Sequence, residues 1–185
     1  MIREISCVKN PLYGIPVLMS GLGSLVLRKT ETVLLGHYIK CNVENLLQLQ
    51  SSTPECVVFF LAGMLPGKAQ LHLKQLSNFG MICRLSDSVL NKHARNVLIT
   101  SKPSCKSWFF QIRELCILYD LPHPLELLEC PSTKTSLKTL IKKKIMSHWE
   151  SELSNQSELP SLAYFKPQFM SLKRPHPMVL HHMKL

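Results

Sequence analysis

Negative charge is scarce in this sequence: only two aspartates, Asp87 and Asp120, stand among 12 acidic residues in 185. Metal-dependent phosphoryl transfer needs carboxylates clustered around divalent ions, and neither aspartate has a second acid beside it. Glu126 and Glu129 can share a helical face, while Glu150 and Glu152 point to different sides, and no basic or histidine partner completes a site with either pair. They read as ordinary surface acids. The seven cysteines are odd in number, widely spaced and without a C-x-x-C pair, so neither a disulfide framework nor a zinc ribbon is indicated. A reducing compartment follows, with residues such as Cys56 and Cys116 acting as small hydrophobes.

Other signatures are missing as well. The eight histidines form no H-E-x-x-H and no metal-ligand spacing with cysteine, so no metal or other cofactor is expected. No serine sits in a G-x-S-x-G setting. The segment Gly63 to Ala69 superficially resembles a phosphate loop, yet it is one residue short between the glycines and carries Ala69 where Ser or Thr should bind magnesium; a turn between two helices explains it better. The longest apolar runs, at 17–27 and 56–65, are about half the roughly 20 residues a spanning helix requires, which argues against a membrane partner. Arg3 and Lys9 ahead of an apolar run faintly imitate a secretory signal, but Glu4, Pro11, Pro16 and the missing cleavage site weaken it. An intracellular chain, in nucleus or cytoplasm, is the expectation.

What is abundant is positive charge. Against those 12 acids stand 22 Lys and Arg, a net charge of +10, which favours anionic partners such as nucleic acid. The surplus steepens after residue 130, where nine basic residues meet three acidic ones. A hydrophobic content of 45% with 18% charged residues is ordinary globular composition, so most of the chain can pack.

Helical periodicity dominates from residue 30 onward, and no strand alternation or internal repeat is visible, so the fold class is all-α. Residues 1–29, broken by Pro11, Gly14, Pro16, Gly21 and Gly23, read as an irregular lead-in. The helical domain takes in 30–158. Its first helix starts with Thr30 as N-cap and carries Val33, Leu34, Tyr38, Cys41, Asn45 and Leu49 near one face, widened by Leu35, Ile39, Val43, Leu46 and Leu47 into a substantially buried element. A core helix follows Thr53-Pro54, and another opens at Pro66 and runs to Leu85. Ser86-Asp87 caps a segment with Val89, Leu90, Ala94, Val97 and Leu98; Ser104 caps one from Trp108 to Tyr119, which Pro122 and Pro124 stop. Ser132 or Thr133 begins the last long helix, with Leu137, Leu140, Ile141, Ile145, Trp149 and Leu153 in one stripe. Residues 159–185 form an extended, proline-containing basic tail.

Candidate binding residues come from that last third. Lys134, Lys138 and Lys142 recur at four-residue steps, with Lys143 and Lys144 beside them and Lys173 and Arg174 in the tail. Lys166, Tyr164, Phe165, Phe169 and His176 interleave rings and charge, a mixture suited to phosphate contact and base stacking. The plain alternative is a lysine-rich face that only keeps the chain solvated, with the rings folded onto the core.

Longer strings carry a resemblance. GIPVLMSGLGSLVL (residues 14–27), VVFFLAGMLPG (57–67), FGMICRL (79–85), NKHARNVLIT (91–100), KSWFFQIRELCILYDLPHPLELLE (106–129) and LPSLAYFKPQFMSL (159–172) occur in this order. Together they resemble the region beyond the polymerase in LINE-like, non-LTR retrotransposon endonuclease–reverse transcriptases, over roughly residues 9–178. The resemblance implies element RNA and target DNA as partners in target-primed reverse transcription, and the polymerase domain itself as a protein partner. It carries no catalytic residue onto these positions, so a non-catalytic, accessory role is expected. After Pro175-His176-Pro177 the chain departs from the family pattern, which suggests a translated fragment of a decayed element. Three readings stand at this point: a non-catalytic nucleic-acid-binding accessory fragment, a helical protein-interaction scaffold, and a remnant with no selected function.

Overall fold

In a computed structural model, the chain is described over residues 18–85, 88–100 and 107–157 and at positions 172, 174, 175 and 179. Among the described residues the protein is all-α, without strands. A helical turn at 18–22 precedes α1 (Lys29–Leu46), α2 (Glu55–Ala62), α3 (Gly67–Cys83), α4 (Val89–Thr100), α5 (Trp108–Leu118), α6 (Pro124–Glu129) and α7 (Lys134–Ser157).

Helix α3 is the hub, packed against α1, α4, α5, α6 and α7. Two of its glycines set how closely its neighbours lie. A Cβ at Gly67 would stand 2.7 Å from Ile39 Cδ1 on α1, and one at Gly80 would stand 2.5 Å from Leu137 Cδ2 on α7. Both are closer than van der Waals contact allows, so a larger residue would force Ile39 or Leu137 to repack. Asn91 then seals the far end of α3: its buried amide donates to the Ile82 carbonyl at 3.2 Å, satisfying a helix-end acceptor that the backbone leaves open.

Apolar burial falls into two clusters. The first gathers Leu76, Phe79 and Cys83 of α3 with Ile112 and Cys116 of α5 and Leu137, Ile141 and Ile145 of α7. The second gathers Ile39 and Val43 of α1, the whole Cys56 to Phe60 run of α2, Leu71 of α3 and Leu153 of α7, together with Leu172 from the tail. Leu65 and Trp149 pack against both. Each fully buried aliphatic side chain contributes about 1.5–3 kcal/mol, so α7, which supplies both clusters, is indispensable to the packing.

The α1 face differs from the sequence expectation. Leu35, Ile39 and Val43 are its buried apolar line, at four-residue steps, whereas Val33 and Leu34 are 64% and 56% exposed. Hydrophobic residues ring much of α1, and the close crossing at Gly67 selects which of them turn inward. Thr30 is not the cap: Arg28, two residues earlier, holds that position, its backbone N–H donating to the Glu31 carboxylate at 2.7 Å. Ser107 rather than Ser104 caps α5, accepting the Phe110 N–H at 3.2 Å; Ser104 lies outside the described residues, as do Ser86 and Asp87. Helix α5 ends at Leu118, ahead of Pro122 and Pro124, and Pro124 also opens α6, because its missing N–H costs nothing in the first turn. Helix α3 ends at Cys83, two residues short of the expected Leu85.

Helix α2 closes on Gly63, at φ 62°, whose N–H and that of Met64 satisfy the Phe60 and Phe59 carbonyls. The Arg174–Pro175 peptide lies directly over this glycine, so a Cβ there would collide with the Arg174 carbonyl group. Gly63→Ala is therefore expected to cost about 1–2 kcal/mol from the left-handed backbone alone, and more from the displaced tail. Urea unfolding monitored by circular dichroism measures it.

Candidate nucleic-acid interface

The basic helix α7 starts where Thr133 Oγ1 accepts the Ser136 backbone N–H at 3.3 Å. With 100° between successive residues, the inward stripe Leu137, Ile141 and Ile145 dictates where the lysines go. Lys134, Lys138 and Lys142 line one flank of that stripe, Lys143 points to solvent, and Lys144 falls on the opposite flank. Lys134, Lys138, Lys142 and Lys143 are exposed and form no ion pair among the described residues.

Three clefts follow the first flank. The first, about 480 Å³, opens between α3 and α7 and has Lys74, Arg84, Lys134 and Lys138 among its lining residues. Buried Leu137 and Ile141 make its floor, and no carboxylate borders it among the described residues. A second cleft shares Lys138 and adds Lys142, Lys143 and Glu150. The third shares Lys142 and runs to Gly63 and the buried Leu172. Because the tail crosses at Gly63, exposed Arg174 is brought to the end of the same path.

The candidate residues are thus only partly brought together. Lys134, Lys138, Lys142 and Lys143, with Arg174 at the end, share a surface. Lys144 does not join it: its Nζ lies 2.5 Å from Asp120 Oδ2 at the end of α5, and this pairing holds the exposed Asp120 carboxyl below its usual value. Lys173, Lys166, His176 and the aromatic residues Tyr164, Phe165 and Phe169 lie outside the described residues. Lys74 and Arg84 are the additions that sequence reading missed. Both sit within an apolar-rich helical segment, and only the antiparallel packing of α3 on α7 carries them to the lysine row. A signal existed in their helical register, since Lys74 falls off the inward face marked by Leu71, Gln75, Leu76 and Phe79.

A buried polar knot fixes α7 in this place. The Tyr119 hydroxyl accepts the Trp149 indole N–H at 3.0 Å and sits 2.7 Å from Nδ1 of His72, which is 5% exposed. With neutral His72 every contact is complementary: Tyr119 donates to the ring nitrogen while accepting from Trp149. Burial, reinforced by Lys68 and His148, lowers the His72 pKa from 6.5 to about 4, and burial raises Tyr119 to about 12. Burial likewise pushes the Cys83 and Cys116 thiols up to about 12, which suits packing and not nucleophilic chemistry. No group of three His, Cys, Asp or Glu side chains that could hold a metal exists among the described residues. No single described helix is long and apolar enough to cross a membrane; α2 and α3 together have the composition, but they bend by 60° at their junction.

The His72 shift has a defined pH signature. The unfolded chain takes up a proton near pH 6.5, whereas the folded protein resists until about pH 4. Stability from this group is complete above pH 6.5 and falls through that window by up to about 3 kcal/mol. Asp120 acts separately and lower, its contribution being lost only as pH falls below 3.8. Thermal melts from pH 7 to 4 are expected to show the decline, and His72→Gln to flatten it.

Set against family models, curated proteins and solved structures, the chain matches none of them.

Proposed function

We propose that this chain is a non-catalytic nucleic-acid-binding segment, of the kind that follows the polymerase in LINE-like reverse transcriptases, and that α7 provides its principal contact surface. The observation that carries this reading is the row Lys134, Lys138 and Lys142 with neighbouring Lys143, solvent-facing and free of carboxylate partners among the described residues. Four-residue steps along a helix place these cations about 6 Å apart, a regular positive line that a phosphate backbone can follow. Low sequence selectivity is the corollary, since phosphate contacts position a nucleic acid without reading its bases. In the parent polypeptide such a segment would hold template or target strands near an active site located upstream.

A second reading has its own observation. Met81, Leu85, Val89 and Leu90 are 56%, 53%, 85% and 47% exposed around the α3–α4 turn, an apolar surface suited to a protein partner such as the polymerase domain or another copy of the chain.

Binding of the full chain to labelled single-stranded RNA over a salt series separates the two. Affinity is expected to fall linearly on logarithmic axes, and Lys138→Glu, Lys142→Glu and Lys143→Glu together to lower the slope by about 2, at about 0.7 per phosphate contact. Salt-independent weak binding, unchanged in the triple variant, combined with self-association that persists at high salt, would replace the nucleic-acid reading with the scaffold one.

A further inference from the structure

The first cleft has cations on both banks. On α3, Lys74 and Arg84 are ten residues apart, about 15 Å along the axis. On α7, Lys134 and Lys138 stand opposite them. Gly80 meets Leu137 while Gln70 and Lys142 border the same third cleft, so the two helices run antiparallel, with Arg84 toward Lys134 and Lys74 toward Lys138. The Arg84 guanidinium reaches the seam itself: its Nη1 lies 3.6 Å from where a Gly80 Cβ would stand. Neither Lys74 nor Arg84 has an ion-pair partner among the described residues.

We propose that the α3–α7 cleft is a track for one single strand of nucleic acid, gripped between Lys74 and Arg84 on one side and Lys134 and Lys138 on the other. This rests on the nucleic-acid reading above and sharpens it, from a basic helix that touches phosphates to a groove that encloses a strand. Three features select a single strand. Helices in direct contact leave only a furrow between their outward side chains, and at about 480 Å³ it has the width of one phosphodiester chain and not of a duplex. Half-buried Leu73 lies beside the buried Leu137 and Ile141 and offers an unpaired base an apolar contact; a duplex keeps its base faces stacked inside itself. The rim is uniformly cationic or neutral, with no carboxylate among its described residues to repel an evenly charged polyanion.

The test uses the full chain, single-stranded RNA, the corresponding duplex and a poly-glutamate peptide as competitor. Lys74→Gln with Arg84→Gln leaves α7 untouched and changes only solvent-accessible groups, with circular dichroism confirming the fold. Single-strand affinity is expected to drop about tenfold or more, with the salt slope reduced by about 0.7 for each phosphate no longer neutralised, while the weaker duplex binding stays as it was. If the α7 charge reversals abolish binding and the Lys74/Arg84 pair is silent, the track is wrong and the basic-helix reading survives. Should neither set matter, both fail together. Displacement of the strand by poly-glutamate at matched charge, abolished in the Lys74/Arg84 variant, would overturn the track in favour of an acidic protein segment as occupant.

Discussion

The antiparallel contact of α3 on α7, made close by Gly80 against Leu137, is the constraint on which the rest of this structure depends. It brings the last helix across the central one, completes both apolar clusters and creates the cleft in the same step. A Cβ at Gly80 would meet the Leu137 methyl, so Leu137 would have to repack for the helices to keep this approach. Burial and charge placement are therefore not separate properties here. The inward register that hides Leu137, Ile141 and Ile145 is the register that turns Lys134, Lys138 and Lys142 toward α3 and the tail.

The knot of His72, Tyr119 and Trp149 adds direction to a contact that hydrophobic burial leaves nonspecific. Apolar side chains tolerate sliding and rotation at modest cost, whereas a hydroxyl that must accept from an indole and donate to an imidazole permits one arrangement. It also ties the end of α5 to α7, which explains why the neighbouring residue, Asp120, is the acid that reaches Lys144. One lysine of the basic helix is consequently engaged on the flank away from the cleft, and Lys134, Lys138 and Lys142 keep the cleft side.

Long, periodic helices were legible because their buried residues repeat at three and four positions, as in Leu137, Ile141, Ile145 and Leu153 of α7. Choices between competing faces were not. In α1 the sequence offers Val33 and Leu34 as readily as Leu35, Ile39 and Val43, and only the glycine-mediated crossing with α3 decides. Two cap positions slipped, by two and three residues, because local cap residues are plentiful and their tertiary surroundings choose among them. The lysine row was readable from its four-residue spacing, but Lys74 and Arg84 lie some 50 residues or more upstream in a segment whose composition says core. Pairing across such a distance is invisible without knowing which helices meet.

The long reach of α7 also bears on how the protein is made. A ribosome delivers α1 through α6 before α7, and at that stage Phe59, Phe79 and their cluster neighbours lack the side chains that α7 contributes. Neither cluster is complete until α7 has also left the exit tunnel, so the apolar seam between α3 and α7 closes only once both helices are out. Closure of this helical unit is accordingly expected to follow the translation of α7.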